Sequence, residues 1–345
     1  MNQHATEFLR AYGRVKPFNF DGKRAESPAA LIRAAAKRAR FRIAQVDRHI
    51  YVISHGRKTI GGLAIPQNSL PSPLSLDASR SSPLARSYLR SAGIPVPRGF
   101  VCPSDQFQSG MVAFQEMSTP ALVRPASSRR GAGITAKVST KKDFERAWQA
   151  AVEAIHGNSA DDSRIMIDEY VEGLDVRAFV VGEKVIAALV RVPHFCIGDG
   201  VRTLSELISE ADAARTAHPL LGRFDYDATL PADTSERDLD AVTEDGRVYG
   251  LASAVNMRRG GVTIDATSLL SRDVKELAIS ASWAVPGSEA AEVDLLLPDV
   301  KSTLGAKVLD VNVEAEFTPY LYPWIGTGRD IASAIVQRMS ENSQG

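Results

Sequence analysis

Between Ile165 and Val192 three apolar runs follow one another: Ile165–Val171, Val176–Val181 and Lys184–Val192, with at most four residues between consecutive runs. Parallel strands need a crossover of a dozen residues or more. If these runs pair with their neighbours, they pair antiparallel. That is unlike the regular βαβ alternation of a Rossmann fold, and the predicted class is α+β.

The flanking segments alternate in the same irregular way. Ser27-Pro28 is a helix start, with serine at the N-cap and proline at the first helical position. The alanine-rich helix that follows ends in Lys37, Arg38 and Arg40, cations that suit the helix dipole. Short apolar stretches at Phe41–Val46, Ile50–Ile53 and Thr59–Ile65 complete a small α/β module. Pro66–Pro83 is rich in serine and proline and reads as a linker or an irregular crossing. A helix over Pro83–Ala92 precedes Gly93-Ile94-Pro95-Val96-Pro97, which two prolines hold extended. Ala121–Pro125 and Ile134–Val138 read as strands around a glycine- and arginine-bearing loop, and Thr140 caps a helix to about Ile155. Val248–Val255, Val293–Leu297 and Lys307–Val313 are further strands, and Arg272–Trp283 and Asp330–Met339 are helices. Gly198-Asp199-Gly200 with Thr203 and Glu206 reads as a turn and a capping box. The polar stretch from Ala211 to Asp245 has no clear period. The expected domains are an N-terminal module and linker over 1–78, a region over 79–195, and a C-terminal region over 196–345.

Composition narrows the function classes. The 345 residues carry 41 basic and 41 acidic side chains, so the net charge is zero. A general nucleic-acid binder carries a basic excess, so no nucleic-acid partner is expected. No apolar run approaches the ~20 residues of a membrane span, so no membrane partner is expected either. Two cysteines, Cys102 and Cys196, cannot build a zinc site or a disulfide framework. The polar start of the chain lacks the apolar core of a signal peptide. The expected location is cytoplasmic.

Several motifs fall in a shared order: Pro120–Pro125; Arg130-Gly131-Ala132-Gly133; Ile167–Arg177; Arg191-Val192-Pro193; Asn256 with Gly260-Gly261; and Asp310-Val311-Asn312. In this order the chain resembles ATP-grasp ligases, most closely the ATP-grasp domain of cyanophycin synthetases and bifunctional glutathione synthetases. The match covers roughly Ser79 to Gln337. The resemblance implies an ATP-grasp fold, two α+β subdomains gripping a nucleotide, and ATP and Mg2+ as cofactors.

It also assigns site residues. Gly131 and Gly133 let backbone amides approach phosphate oxygens, with Arg130 adding charge; taken alone, the same loop is an ordinary hairpin turn. Asp168, Glu169 and Val171 mark the hinge that meets adenine through backbone groups of Glu169 and Val171, and Asp175 would hold the ribose diol. Arg124 stands where the family usually has a phosphate-binding lysine. A second family lysine falls near Ser82 and is missing, with Arg80 or Arg86 as substitutes. Asp294, Asp310 and Asn312 resemble the magnesium ligands; Asp310 and Asn312 share a strand face by their period-two spacing. Arg191 would steady the transferring phosphoryl group, with Arg177, Asn256 and Arg258 as further catalytic candidates.

The reaction implied joins a carboxylate to an amine through an acyl-phosphate, on amino acid or peptide substrates. A nucleotide-binding module without turnover and a small-molecule kinase on the same fold stand as alternatives. A homodimer is left open.

Overall fold

The computed structural model describes the chain except for residues 16, 18–19, 21–23, 66, 118–119, 128–130, 158–161, 226–238 and 344–345. A four-stranded antiparallel sheet opens the fold: β1 (Arg42–Asp47), β2 (Ile50–His55), β3 (Lys58–Ala64) and β4 (Gln67–Asn68). It follows helix Pro28–Arg38, capped as expected by Ser27, whose Oγ accepts from the Ala30 amide. Helix Gln3–Tyr12 precedes this module and was not foreseen.

The serine- and proline-rich stretch expected as a linker contains β4 and the helix Pro73–Arg80. Ser72-Pro73 repeats the Ser27-Pro28 signal, and the Ser72 hydroxyl accepts from the Ser75 amide. This is the serine N-cap with proline at the first turn. Helix Ser82–Ser91 follows.

The second sheet comprises β5 (Gly99–Pro103), β6 (Ala121–Pro125), β7 (Thr135–Val138) and β8 (Arg164–Glu169), in the order β5-β8-β6-β7. One face packs Ala121, Val123, Cys102, Ile165 and Ile167 under helices Phe107–Gln115 and Lys141–Gly157. Arg124 lies on the opposite face by strand alternation.

The third sheet joins β9 (Leu174–Val181), β10 (Lys184–Pro193), β13 (Gly261–Asp265), β14 (Ala290–Leu297) and β15 (Lys307–Asn312), in the order β13-β10-β9-β14-β15, all antiparallel. The short pair β11 (Phe195–Ile197) and β12 (Val248–Gly250) stands apart. The three runs that constrained the sequence reading are β8, β9 and β10, but they do not form one sheet. β8 belongs to the second sheet, while β9 and β10 pair with each other. The expected boundary at residue 195 therefore cuts across the third sheet, whose strands β9 and β10 lie before it.

Alternation divides the third sheet cleanly. Val176, Ala178, Val190, Val192, Val262, Val293, Leu295 and Val311 face the largest apolar core. Phe179 and Leu189 point the other way, into a second core shared with Ile53, Ile60 and Leu63 of the N-terminal sheet and with helix Ile331–Asn342. Val181, Ala187 and Ala290 of the same face join that core, and the charged residues of this face carry the candidate site. Among the described residues, no helix is long and apolar enough to cross a membrane.

Candidate active site

The register of the third sheet sets the charged side chains beside one another. Asp294 pairs with Asp310 across β14 and β15, and Glu292 with Asn312. Asp294 pairs with Arg177 across β14 and β9. Arg191 pairs with Asp175 across β10 and β9, and with Thr263 across β10 and β13. Directly opposed residues share a face, so five strands contribute to one polar surface.

Its charges are mutually compensated. Arg191 Nη2 donates to Asp175 Oδ2 at 2.6 Å and Nε to Oδ1 at 2.9 Å, a two-pronged pair. Arg177 Nε adds a 3.3 Å bond to Asp175, its Nη1 reaches Glu292 at 3.3 Å, and it forms a close ion pair with Asp294. Burial alone would raise the Asp175 pKa, but the Arg191 and Arg177 charges outweigh it and hold the carboxyl below its ordinary range. For Arg191 burial works downward, and Asp175 reverses it. Tyr320, fully buried, donates its hydroxyl to Glu292 at 2.7 Å. Burial, then the Glu292 charge, push the phenol well above 10.

The second sheet meets this surface through Ser82. The Ser82 hydroxyl donates to Asp310 Oδ2 at 2.7 Å and accepts from Arg124 Nη1 at 3.1 Å. Arg124 also lies 3.6 Å from Asp168, which Arg86 grips from the other side. Burial lowers the Arg124 pKa, and neighbouring Arg86 adds to the effect. A chain of contacts, Arg86–Asp168–Arg124–Ser82–Asp310, thus runs from one sheet to the other. Ser82 occupies the place where a lysine was missed, and Arg86, one of the suggested substitutes, is buried on Asp168. Arg80, the other, forks onto Glu314 with both bonds at 2.9 Å.

Several of the expected nucleotide residues already have partners within the chain. Asp168 is only 2% exposed; its carboxylate anchors two arginines instead of facing a nucleotide. The Glu169 amide donates to the Arg98 carbonyl at 2.8 Å, so it is not free for an adenine edge. The Glu169 side chain is taken by the Arg98 amide at 3.0 Å and Lys307 at 3.3 Å. Val171 lies half-buried in the connection from β8 to β9. Asp175 is held by arginines, so a ribose would compete with both.

The glycine loop comes close to the Asn256 segment. Gly131 has φ +77°, and a Cβ there would sit 4.0 Å from Asn256 Nδ2. Gly133, at φ +68°, packs on the helix beneath: a Cβ would lie 2.7 Å from the Ala154 methyl. Both positions demand glycine, one by conformation alone and one also by space. Arg130 lies outside the described residues. Asn256 caps a short turn, its Oδ1 accepting from the Arg258 amide at 2.9 Å. Arg258 stacks over Phe224, 4.6 Å from the ring centre.

A divalent cation fits part of this surface. Asp294 Oδ1 is buried against Arg177 Nη1, an ion pair without an aligned hydrogen bond, so a cation there would compete with the guanidinium. Asp310 lies opposite, with Oδ1 on the Val311 amide at 2.9 Å and Oδ2 on Ser82. Asn312 Oδ1 accepts from the Glu314 amide at 2.9 Å and keeps a second lone pair. Among the described residues, no three His, Cys, Asp or Glu side chains are gathered as a metal-binding group. Two carboxylates and an amide suit magnesium only when phosphate and water complete the shell.

Glu292, Tyr320 and Ser82 were missed by sequence reading. Glu292 carried a signal, its period-two spacing to Asp294. Lys137 was missed too: at φ +57° its ammonium meets Glu172 at 2.8 Å and lies over the Tyr170 ring, tying the β6–β7 hairpin to the hinge.

No family model matches the chain. The bifunctional glutathione biosynthesis protein of Pasteurella multocida is 25% identical over 309 residues, 84% of this chain and 38% of that protein. The cyanophycin synthetase of Geminocystis herdmanii is 26% identical over 267 residues, 74% of this chain and 29% of that protein. A crystal structure of the bifunctional glutathione synthetase from Pasteurella multocida superposes with a TM-score of 0.64 and 20% identity, over 91% of this chain and 43% of that one. This chain has the ATP-grasp fold. It spans less than half the length of these relatives. The ATP-grasp fold places its two sheets on either side of the Arg124–Ser82–Asp310 contact.

Proposed function

We propose that this ATP-grasp chain is an ATP-dependent carboxylate–amine ligase acting on amino acids or peptides. The observation that carries the reading is the gathering of Arg191, Arg177, Asp294 and Asp310 on one sheet face, with Arg124 reaching it from the second sheet. In this reading the substrate carboxylate attacks the γ-phosphorus of ATP, forming an acyl-phosphate and ADP. An amine then attacks the acyl carbon, phosphate leaves with the C–O bond, and the nitrogen loses a proton to give the amide. Such transfer depends on positioning and on charge stabilisation. Arg191 and Arg177 supply fixed positive charge, and Asp175 keeps both side chains in place. Asp294, Asp310 and Asn312 would hold Mg2+, which neutralises phosphate charge when bound.

The test mixes the chain with ATP, Mg2+ and pairs of amino acids or short peptides, following ADP release and product mass. A pair that stimulates ADP release and yields an amide is expected. Absence of stimulation with every pair, and no amide mass, counts against the ligase.

A second reading, a nucleotide-binding module without turnover, draws support from one observation: the arginines meant for phosphate are already neutralised by Asp175, Asp168 and Asp294. Calorimetric ATP binding without any phosphate release would favour it.

A further inference from the structure

The zero net charge of the chain conceals a strong separation. Residues 28–65 carry eight basic side chains, Arg33, Lys37, Arg38, Arg40, Arg42, Arg48, Arg57 and Lys58, against Asp47 alone. That is +7 for this segment and therefore −7 for the remainder of a chain whose total is zero.

Folding gathers most of these cations at one end of the N-terminal sheet. Helix Pro28–Arg38 ends in Lys37 and Arg38, and Arg40 follows in a left-handed conformation at φ +60°. Arg42 opens β1 opposite Ser54. The β2–β3 turn, with His55 opposite Lys58 and Arg57 between them, is folded against the same end. The Phe41 and His55 rings meet at 5.2 Å and fix helix end and turn together. Lys37, Arg40, Arg42, Arg57 and Lys58 are all exposed. Arg38 is paired with Asp330 at 2.6 Å. Among the described residues, none of the other five forms an ion pair with a carboxylate.

The apolar surroundings decide what such a patch can hold. The exposed large hydrophobics of this module, Val46, Ile50 and Ile65, lie at the β1–β2 end, away from the cations. The cationic end has none, so it lacks the apolar centre of a protein interface and the apolar side chains that enter a bilayer. Phe41 is half-buried, packed against the core and against the His55 ring, so no row of exposed aromatic rings is offered for stacking single-stranded bases. What remains is charge on three backbone-fixed elements, mostly arginine, whose fork suits phosphate oxygens.

We propose that this end of the N-terminal module binds duplex nucleic acid through its phosphate backbone, without reading bases. The inference does not rest on the ligase reading, and it reverses the expectation drawn from net charge.

The test uses the full chain and a fluorescein-labelled duplex of about 30 base pairs, followed by anisotropy from about 50 to 200 mM salt. With five cations engaged, log affinity should fall against log salt with a slope of about −4 to −5. Lys37→Gln, Arg42→Gln, Arg57→Gln and Lys58→Gln combined should weaken binding more than about tenfold, while Arg272→Gln with Lys301→Gln leaves it unchanged. Should the fourfold variant melt early, Arg57→Gln with Lys58→Gln in the turn alone should cut the slope by about 2. No binding at low salt, or binding undiminished by these variants, overturns the proposal. So does retention on poly-glutamate or anionic vesicles without retention of the duplex, because the partner is then an acidic protein or a membrane.

Discussion

Arg191 on β10 and Asp175 on β9 face each other across the third sheet, joined by two parallel bonds of 2.6 and 2.9 Å. The pair places a fixed guanidinium on the polar face at a known height, and the same carboxylate steadies Arg177 from the side. Removing either partner therefore does more than delete one contact.

Asp175→Asn should destabilise the fold by about 2–3 kcal/mol, because two partly buried cations lose their shared anion. The figure lies below that for a fully buried pair, since Asp175 and Arg191 side chains are 19% and 21% exposed. Urea denaturation followed by circular dichroism measures it. Arg191→Lys keeps the charge but loses the fork. It should cost less in stability and, under the ligase reading, lower kcat/KM by about 10-fold or more. An unchanged kcat/KM would remove Arg191 from the proposed chemistry.

His194 and His218 make the fold acid-sensitive in a defined window. Burial pushes both imidazoles down to about 4; nearby Asp212 opposes this at His194 and Arg215 adds to it at both. His218 Nδ1 already accepts the Leu220 and Leu221 amides at 3.2 and 3.1 Å, bonds that a proton there would break. In the unfolded chain both titrate near 6.5. Below that pH the unfolded state binds more protons, so stability is complete above about 6.5 and falls as pH drops toward 4. Each histidine contributes at most about 3 kcal/mol to the loss. Melting temperature measured across this range should fall on acidification, and less steeply in His218→Gln. A flat profile between pH 6.5 and 4.5 would contradict the burial of neutral rings.

The sequence already held the motif order and the spacing of Asp310 and Asn312, because both are local properties of a strand. The partners of those residues were not legible. Asp294 faces Asp310, and Glu292 faces Asn312, only because β14 and β15 pair with a one-residue irregularity beside Asp294. No local pattern in either strand states that register. Ser82 was judged by the lysine it lacks, whereas its hydroxyl is what joins Arg124 to Asp310. The helix Pro73–Arg80 hid in a serine- and proline-rich stretch whose composition resembles a linker, although Ser72-Pro73 is the same start signal that correctly marked residue 28.

Ser82→Ala should cost about 1 kcal/mol, the net worth of a hydrogen bond, plus part of the desolvation of Asp310 Oδ2, which loses the Ser82 donor. Tyr320→Phe removes the donor to Glu292 from a fully buried position and should cost about 1–2 kcal/mol by the same reasoning. Ser82 and Tyr320 bond different carboxylates from different elements, so the double variant should show additive losses in denaturant midpoints. Coupling beyond about 0.5 kcal/mol would mean that the polar face responds as one network.

Asp294 and Asp310 predict a metal dependence that can be separated from folding. Asp294 shares Arg177 with Asp175 and Glu292, and Asp310 accepts from the Ser82 hydroxyl and the Val311 amide, so neither carboxylate is the sole partner of a buried cation. Asp294→Asn and Asp310→Asn should therefore fold with a melting temperature within a few degrees of the parent chain. Losing a ligand should raise the Mg2+ concentration needed for ATP binding or turnover by about 100-fold or more, beyond the 10–100-fold that supporting residues usually cost. The measurement is nucleotide binding titrated against Mg2+. Equal Mg2+ requirements in the parent chain and both variants would show that the cation, if one binds, is held elsewhere.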